Sequence, residues 1–154
     1  MFREMRRKDK QLQHQEAISI LEECNYGVLS VTGENGYPYG VPMNYIYYKD
    51  SLYLHCAEDG YKLDNISQNN KVSFCVVGDS KVISEKFTTN YKSVIVFGKI
   101  EKADVDEKKE VLVEFISKFA KSYMTKGKKY VSKSYGDTTV LRIEIEYLTG
   151  KGNK

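Results

Sequence analysis

The chain has 154 residues, enough for one domain spanning 1–154 with a core that needs no staples. With 41% hydrophobic and 29% charged residues it is not a disordered chain, and a net charge of +3 is too small to argue by itself for a nucleic-acid partner. Three cysteines without CxxC spacing speak against a disulfide framework or a zinc site. The lack of a membrane-length apolar run or a signal-like start makes the cytoplasm the expected compartment.

The first predicted helix runs from about Gln11 to Cys24, with Ala17, Ile20, Leu21 and Cys24 on one stripe. Asn25-Tyr26-Gly27 ends it, and a strand follows from Gly27 to Val31. Glu34-Asn35-Gly36 is a hairpin signal, and Tyr37 to Tyr47 resumes as a strand. Pro38 and Pro42 remove ladder donors, so this strand belongs at an edge, a bulge or an open end. A turn at Lys49-Asp50 leads to a strand over Ser51–Cys56, then a polar loop and a short helix from about Gly60 to Gln68.

Lys71 to Val77 is the next strand, with Val72, Phe74 and Val76 on one face. The polar stretch 78–89 is expected to be a loop before a strong strand over Tyr91–Ile100. Asp104 with Glu107 has the spacing of a capping box for a helix whose stripe is Leu112, Ile116, Phe119, Ala120 and Tyr123. Lys126-Gly127-Lys128-Lys129 is expected to be a solvated break, and Thr139 to Tyr147 is the last strand. Six strands joined mostly by short turns predict an α+β fold, an antiparallel barrel with peripheral helices.

Three segments carry candidate chemistry. The loop His55-Cys56-Ala57, with Gly60 and Lys62, feeds a helix N-terminus, where free N–H groups and a lysine suit a phosphate; the alternative is an ordinary strand-to-helix turn. Val41-Pro42-Met43-Asn44-Tyr45 is a proline-broken strand whose free backbone groups suit a flat heterocycle; the alternative is a plain bulge. The segment 86–94 puts polar side chains at the mouth of a core strand. His55 is either a proton donor beside a redox group or a packed histidine. Cys56 is read as core, and His14 as exposed. No GxGxxG, Walker or GxSxG motif occurs. The basic run Arg3, Arg6, Arg7, Lys8 and Lys10 is a solvated tail or an arm reaching a phosphate or a second subunit.

Taken in order, the segments Met5–Lys10, Gly27–Ser30, Pro38–Tyr45, Leu52–Ala57 with Gly60-Tyr61-Lys62, Val72–Phe74, Phe87–Gly98 and Arg142–Lys151 resemble the pyridoxamine 5′-phosphate oxidase-like FMN-binding split barrels, in particular their nitroimidazole-resistance branch. The resemblance implies a six-stranded split barrel, a homodimer and FMN at the dimer interface. It puts Lys62 on the FMN phosphate with the backbone of Cys56 and Ala57, and Pro42, Met43 and Asn44 along the isoalloxazine ring. Tyr91 and Ser93 would approach the cofactor, in one arrangement from the partner subunit, and His55 would lie near the flavin edge or phosphate. The arginines that bind pyridoxamine phosphate in the true oxidases are not evident. The expected function is a flavoprotein that reduces small nitroaromatic compounds such as 5-nitroimidazoles; the alternative is a flavin-binding or flavin-sensing protein without turnover. Neither a metal, a nucleic acid nor a membrane is expected as a partner.

Overall fold

The computed structural model describes residues 1–153. Its centre is one antiparallel sheet of seven strands: β1 (Tyr26–Thr32), β2 (Pro38–Asn44), β3 (Ile46–Tyr48), β4 (Ser51–Cys56), β5 (Lys71–Ile83), β6 (Thr88–Lys102) and β7 (Thr139–Asn153). Their order is β2-β1-β5-β6-β7-β4-β3. β2 and β3 are separated in sequence only by Tyr45, yet they form opposite ends of this order. The sheet must therefore curl until its two edges meet, which gives a barrel and removes most of the exposed edge.

Four helices pack around it: α1 (His14–Glu23), α2 (Tyr61–Gln68), α3 (Val105–Phe119) and α4 (Met124–Ser134). The interior holds Leu29, Val31, Leu52, Leu54, Phe74, Val76, Val94, Val96, Leu141 and Ile143, closed at its ends by Leu21 of α1 and Leu63 of α2. A second cluster lies outside the barrel wall, where Val111, Leu112 and Phe115 of α3 and Val131 of α4 cover Ile46, Tyr53 and Val140. No helix among the described residues is long and apolar enough to cross a membrane.

The α+β split barrel expected from the sequence is present, with one strand more. The single strand expected over Tyr37–Tyr47 is interrupted at Tyr45, whose side chain is fully buried and donates its phenol to the Leu21 carbonyl at 2.6 Å. The edge position inferred from the two prolines holds: β2 pairs only with β1, and Pro42 lies opposite Val28. Lys49 and Asp50 both have positive φ, as a two-residue hairpin of the primed type requires.

Three expectations are corrected. Residues 78–89 are not a loop: β5 continues to Ile83, the chain turns through Ser84–Lys86, and β6 returns from Thr88 as a two-stranded arm with a bulge between Val77 and Ser80. The arm was hidden because almost none of it is buried, so it has no apolar face for period-2 reading to find. Lys126–Lys129 is not a break but lies inside α4. Gly127 meets α3 so closely there that a Cβ would sit 2.5 Å from Ile116 Cγ2. The α3 stripe is Val111, Leu112 and Phe115; Phe119 and Tyr123 are exposed, because α3 ends at Phe119. Asp104 caps that helix as expected, accepting from the Glu107 N–H at 2.9 Å.

Candidate functional site

The barrel is split where β2 and β4 face each other. β3 and β4 pair from Tyr48↔Ser51 to Ile46↔Tyr53. Continuing that register would set Asn44 opposite His55, Met43 opposite Cys56 and Pro42 opposite Ala57. No such pairs form; β2 spends its ladder on β1, and β4 beyond Tyr53 pairs only with β7. Two short stretches of strand edge therefore face each other with free backbone donors and acceptors, apart from the donor that Pro42 lacks. This is the donor set a flat heterocycle with alternating N–H and C=O groups needs.

Tyr45 creates the split. Its ring is pinned between Phe74, at 5.1 Å between centroids, and the Lys118 ammonium, 4.5 Å from its centroid. Lys118 reaches in from α3 and donates to the carbonyls of Cys24 (2.5 Å) and Tyr45 (3.2 Å). It thereby satisfies the carbonyl of Tyr45, which lies between β2 and β3, and that of Cys24, the residue that ends α1. Burial holds the Lys118 amine below its ordinary range. Sequence reasoning missed Lys118; its trace was a lysine one turn beyond Phe115 on an otherwise apolar stripe.

At one end of the split, α2 begins. Gly60, its cap, has φ 145°, a conformation that side chains rarely adopt. Tyr61 packs edge-on against Tyr39 of β2 at 5.0 Å, which holds the first turn of α2 against the split. Lys62 follows, half-buried. Burial pushes the Cys56 thiol up, and the nearby ammonium groups of Lys62 and Lys102 oppose that rise. So Lys62, in the first turn of α2 where N–H groups are left unpaired, stands near the end of β4. Asp64, Glu58 and Asp59 also lie in this stretch, so the attraction for an anion comes from Lys62 and the helix terminus together rather than from a general basic field.

Pro42, Met43, Asn44, His55, Cys56, Ala57 and Lys62 are thus brought to one place. Pro42 and Asn44 are exposed on the outer face of the sheet, whereas Met43 packs its side chain into the barrel core. Asn44 donates from Nδ2 to the Asn25 carbonyl at 3.0 Å. Cys56 packs against the same core and, like Cys24 and Cys75, is a free thiol.

His55 turns its ring edge-on to Phe115 of α3, 4.7 Å between centroids. This crowding disfavours the cation and lowers the imidazole pKa from 6.5. The folded chain then binds this proton less readily than the unfolded chain. The contribution of His55 to stability is complete above pH 6.5 and declines as the pH falls below it. An NMR titration of the His55 ring protons is expected to give a midpoint below 6.5, and one at or above 6.5 would remove this account.

Tyr91 and Ser93 are elsewhere. They pair with Asn153 and Lys151 at the far end of β7, whereas Cys56 pairs with Thr139 at its near end. Fourteen steps along the strand separate Thr139 from Asn153, about 45 Å of path at about 3.3 Å per residue, so Tyr91 and Ser93 lie at the opposite end of β7 from Cys56. By the alternation of β6, Ser93 shares the outer face with Ile95 and Phe97. The N-terminal run lies near that end: Gln11 bridges to Lys151, Arg7 pairs with Asp9 at 2.5 Å, and Phe2 stacks on both Phe97 and Tyr147.

The family model for pyridoxamine 5′-phosphate oxidase matches residues 13–152. The chain belongs to this family. No curated protein sequence matches it significantly. Among solved structures it is similar to a candidate 5-nitroimidazole antibiotic resistance protein of Bacteroides thetaiotaomicron, with 24% identity, a TM-score of 0.77, and 94% of this chain and 90% of that chain covered. A conserved hypothetical protein of Mycobacterium tuberculosis gives a TM-score of 0.83 at 17% identity over 97% and 90% of the two chains. An FAD-binding protein of Mesorhizobium loti gives 0.67 at 23% identity over 94% and 98%. At these identities the likeness establishes the fold, and all three share it with this family member.

Proposed function

We propose that the chain binds FMN in the split and acts as a flavin-dependent reductase of small nitroaromatic compounds such as 5-nitroimidazoles. The observation that carries this reading is the unzipped register between Pro42–Asn44 and His55–Ala57, with Lys62 in the first turn of α2 at one end of it. The strand edges offer hydrogen bonds to an isoalloxazine ring, and Lys62 with the helix terminus offers the charge a phosphate needs. The residues present therefore fit this cofactor. When bound, FMN supplies the electron transfer, while the chain binds, orients and shields it. The names of the Bacteroides and Mesorhizobium proteins agree with a flavin and a nitroimidazole, although the second names FAD.

A homodimer completes the site in this reading. The outer face of the sheet exposes Val77 (55%), Ile95 (41%) and Phe97 (37%), a run of large apolar side chains suited to a second copy. Tyr91 and Ser93, at the opposite end of β7 from Cys56, come to the cofactor from the partner. A cytoplasmic location, with its reducing supply, suits such chemistry.

Binding without turnover is the second reading, and the orientation of His55 favours it. The one imidazole at the split is exposed and turned edge-on to Phe115 of α3, and the burial of its ring lowers its pKa, so it holds a proton for transfer less readily than a free histidine. The absorbance spectrum of the purified or FMN-reconstituted protein tests the binding claim: a flavin spectrum, with FMN released on denaturation, is expected, and a colourless protein that takes up no flavin overturns it. Anaerobically reduced protein mixed with a 5-nitroimidazole then separates the two readings, since rapid reoxidation is expected only of a reductase.

A further inference from the structure

The charge on α3 and α4 is strongly segregated. Asp104, Asp106, Glu107, Glu110 and Glu114 crowd the first part of α3, whereas no carboxylate occurs from Phe115 to Gly136. That second stretch holds Lys118, Lys121, Lys126, Lys128, Lys129 and Lys133. All but Lys118 are exposed, and none of them takes part in an ion pair among the described residues. The buried side of α4 is Gly127 and Val131, so its lysines are left to solvent.

This corner touches the split. The exposed ring of Phe119 stacks on Phe115 at 6.0 Å, and Phe115 meets His55 at 4.7 Å. Three adjoining rings thus lead from the lysine corner to the strand edge where the flavin is placed. A docking surface for a donor of electrons would use both features: lysines without partners steer an acidic protein, and the ring path carries its charge to the split.

We infer that the lysine corner of α3 and α4 docks an acidic one-electron carrier protein that supplies the reductase with electrons. The inference rests on the flavin reading above. In two encounters, two reduced [2Fe–2S] carriers each give up one electron and leave oxidised. The two electrons, with two protons from solvent, reduce one bound flavin to its hydroquinone.

The test uses a labelled plant-type [2Fe–2S] ferredoxin and a flavodoxin as probes, with the full chain and with Lys126→Glu/Lys129→Glu. Both substitutions are exposed, and circular dichroism checks that the fold is kept. Affinity for at least one carrier at 50 mM salt is expected to fall at least about tenfold in the variant, and to fall comparably for the natural chain at 300 mM salt. Flavin reduction by the photoreduced carrier should slow in proportion, while reduction by dithionite should not change. Equal carrier affinity in both chains, no association with either carrier, or tighter binding of a single-stranded oligonucleotide or of anionic vesicles would each overturn the inference. Carrier binding is read on the chain with or without flavin, so a failure to bind FMN overturns the flavin reading separately.

Discussion

Tyr45→Ala is expected to cost about 3–5 kcal/mol, the range for losing a large aromatic from a packed interior. Set against a typical domain stability of about 5–15 kcal/mol, this leaves a marginal fold. Three losses coincide. The ring leaves the space beside Phe74 in the barrel core. The phenol, whose pKa burial pushes far up and which donates to the Leu21 carbonyl, no longer ties the barrel wall to α1. Lys118, whose ammonium lies over the ring, keeps its carbonyl contacts and loses its aromatic cover. Tyr45→Phe removes only the hydroxyl and is expected to cost about 1–2 kcal/mol. Urea denaturation of the two variants checks this; a loss below about 1 kcal/mol for the alanine variant would mean that Tyr45 does not anchor the barrel wall to α1 and Lys118.

The same residue marks where sequence and structure part. The strands were legible because Val72, Phe74 and Val76, or Leu141 and Ile143, alternate with the period of a half-buried sheet. Tyr45 belongs to a run of strand formers, and nothing in its local pattern says that the ladder stops there; the stop comes from Leu21, Phe74 and Lys118, distant in sequence. The six expected strands became seven for this reason alone. In the candidate site, Pro42 announced an edge, and Gly60 with Lys62 announced a turn into a helix. That the two lie across one split depends on the register of β3 with β4, which a linear reading does not give. α4 was missed because its lysines and Gly127 look like solvent-exposed chain; its burial is confined to Gly127 and Val131. Residue types were thus legible where the backbone was under local constraint, and illegible where a tertiary partner decided the outcome.

Lys62→Ala is expected to weaken FMN binding about 10–100-fold while leaving the fold intact. The size follows from one charge-assisted hydrogen bond to phosphate, about 1.5–3 kcal/mol, at 1.4 kcal/mol per tenfold. The fold survives because the buried contacts of α2 come from Leu63, Asn65 and Ile66, none of which is touched. The acidic residues around Lys62 sharpen the expectation: with Glu58, Asp59 and Asp64 close in sequence, removal of the lysine leaves an anion facing carboxylates and helix N–H groups only. The measurement that isolates the phosphate is a comparison of FMN with riboflavin, which has the same ring and lacks the phosphate. Fluorescence titration should give a large loss for FMN and almost none for riboflavin, and Lys62→Arg should recover part of the FMN affinity, since a guanidinium keeps the charge in a different shape. Equal losses for both ligands would mean that Lys62 acts on the shape of the split, and no loss for either would remove it from the site. The pattern that changes only FMN requires the phosphate at the start of α2, and through the length of the cofactor it sets the ring between Pro42–Asn44 and His55–Ala57.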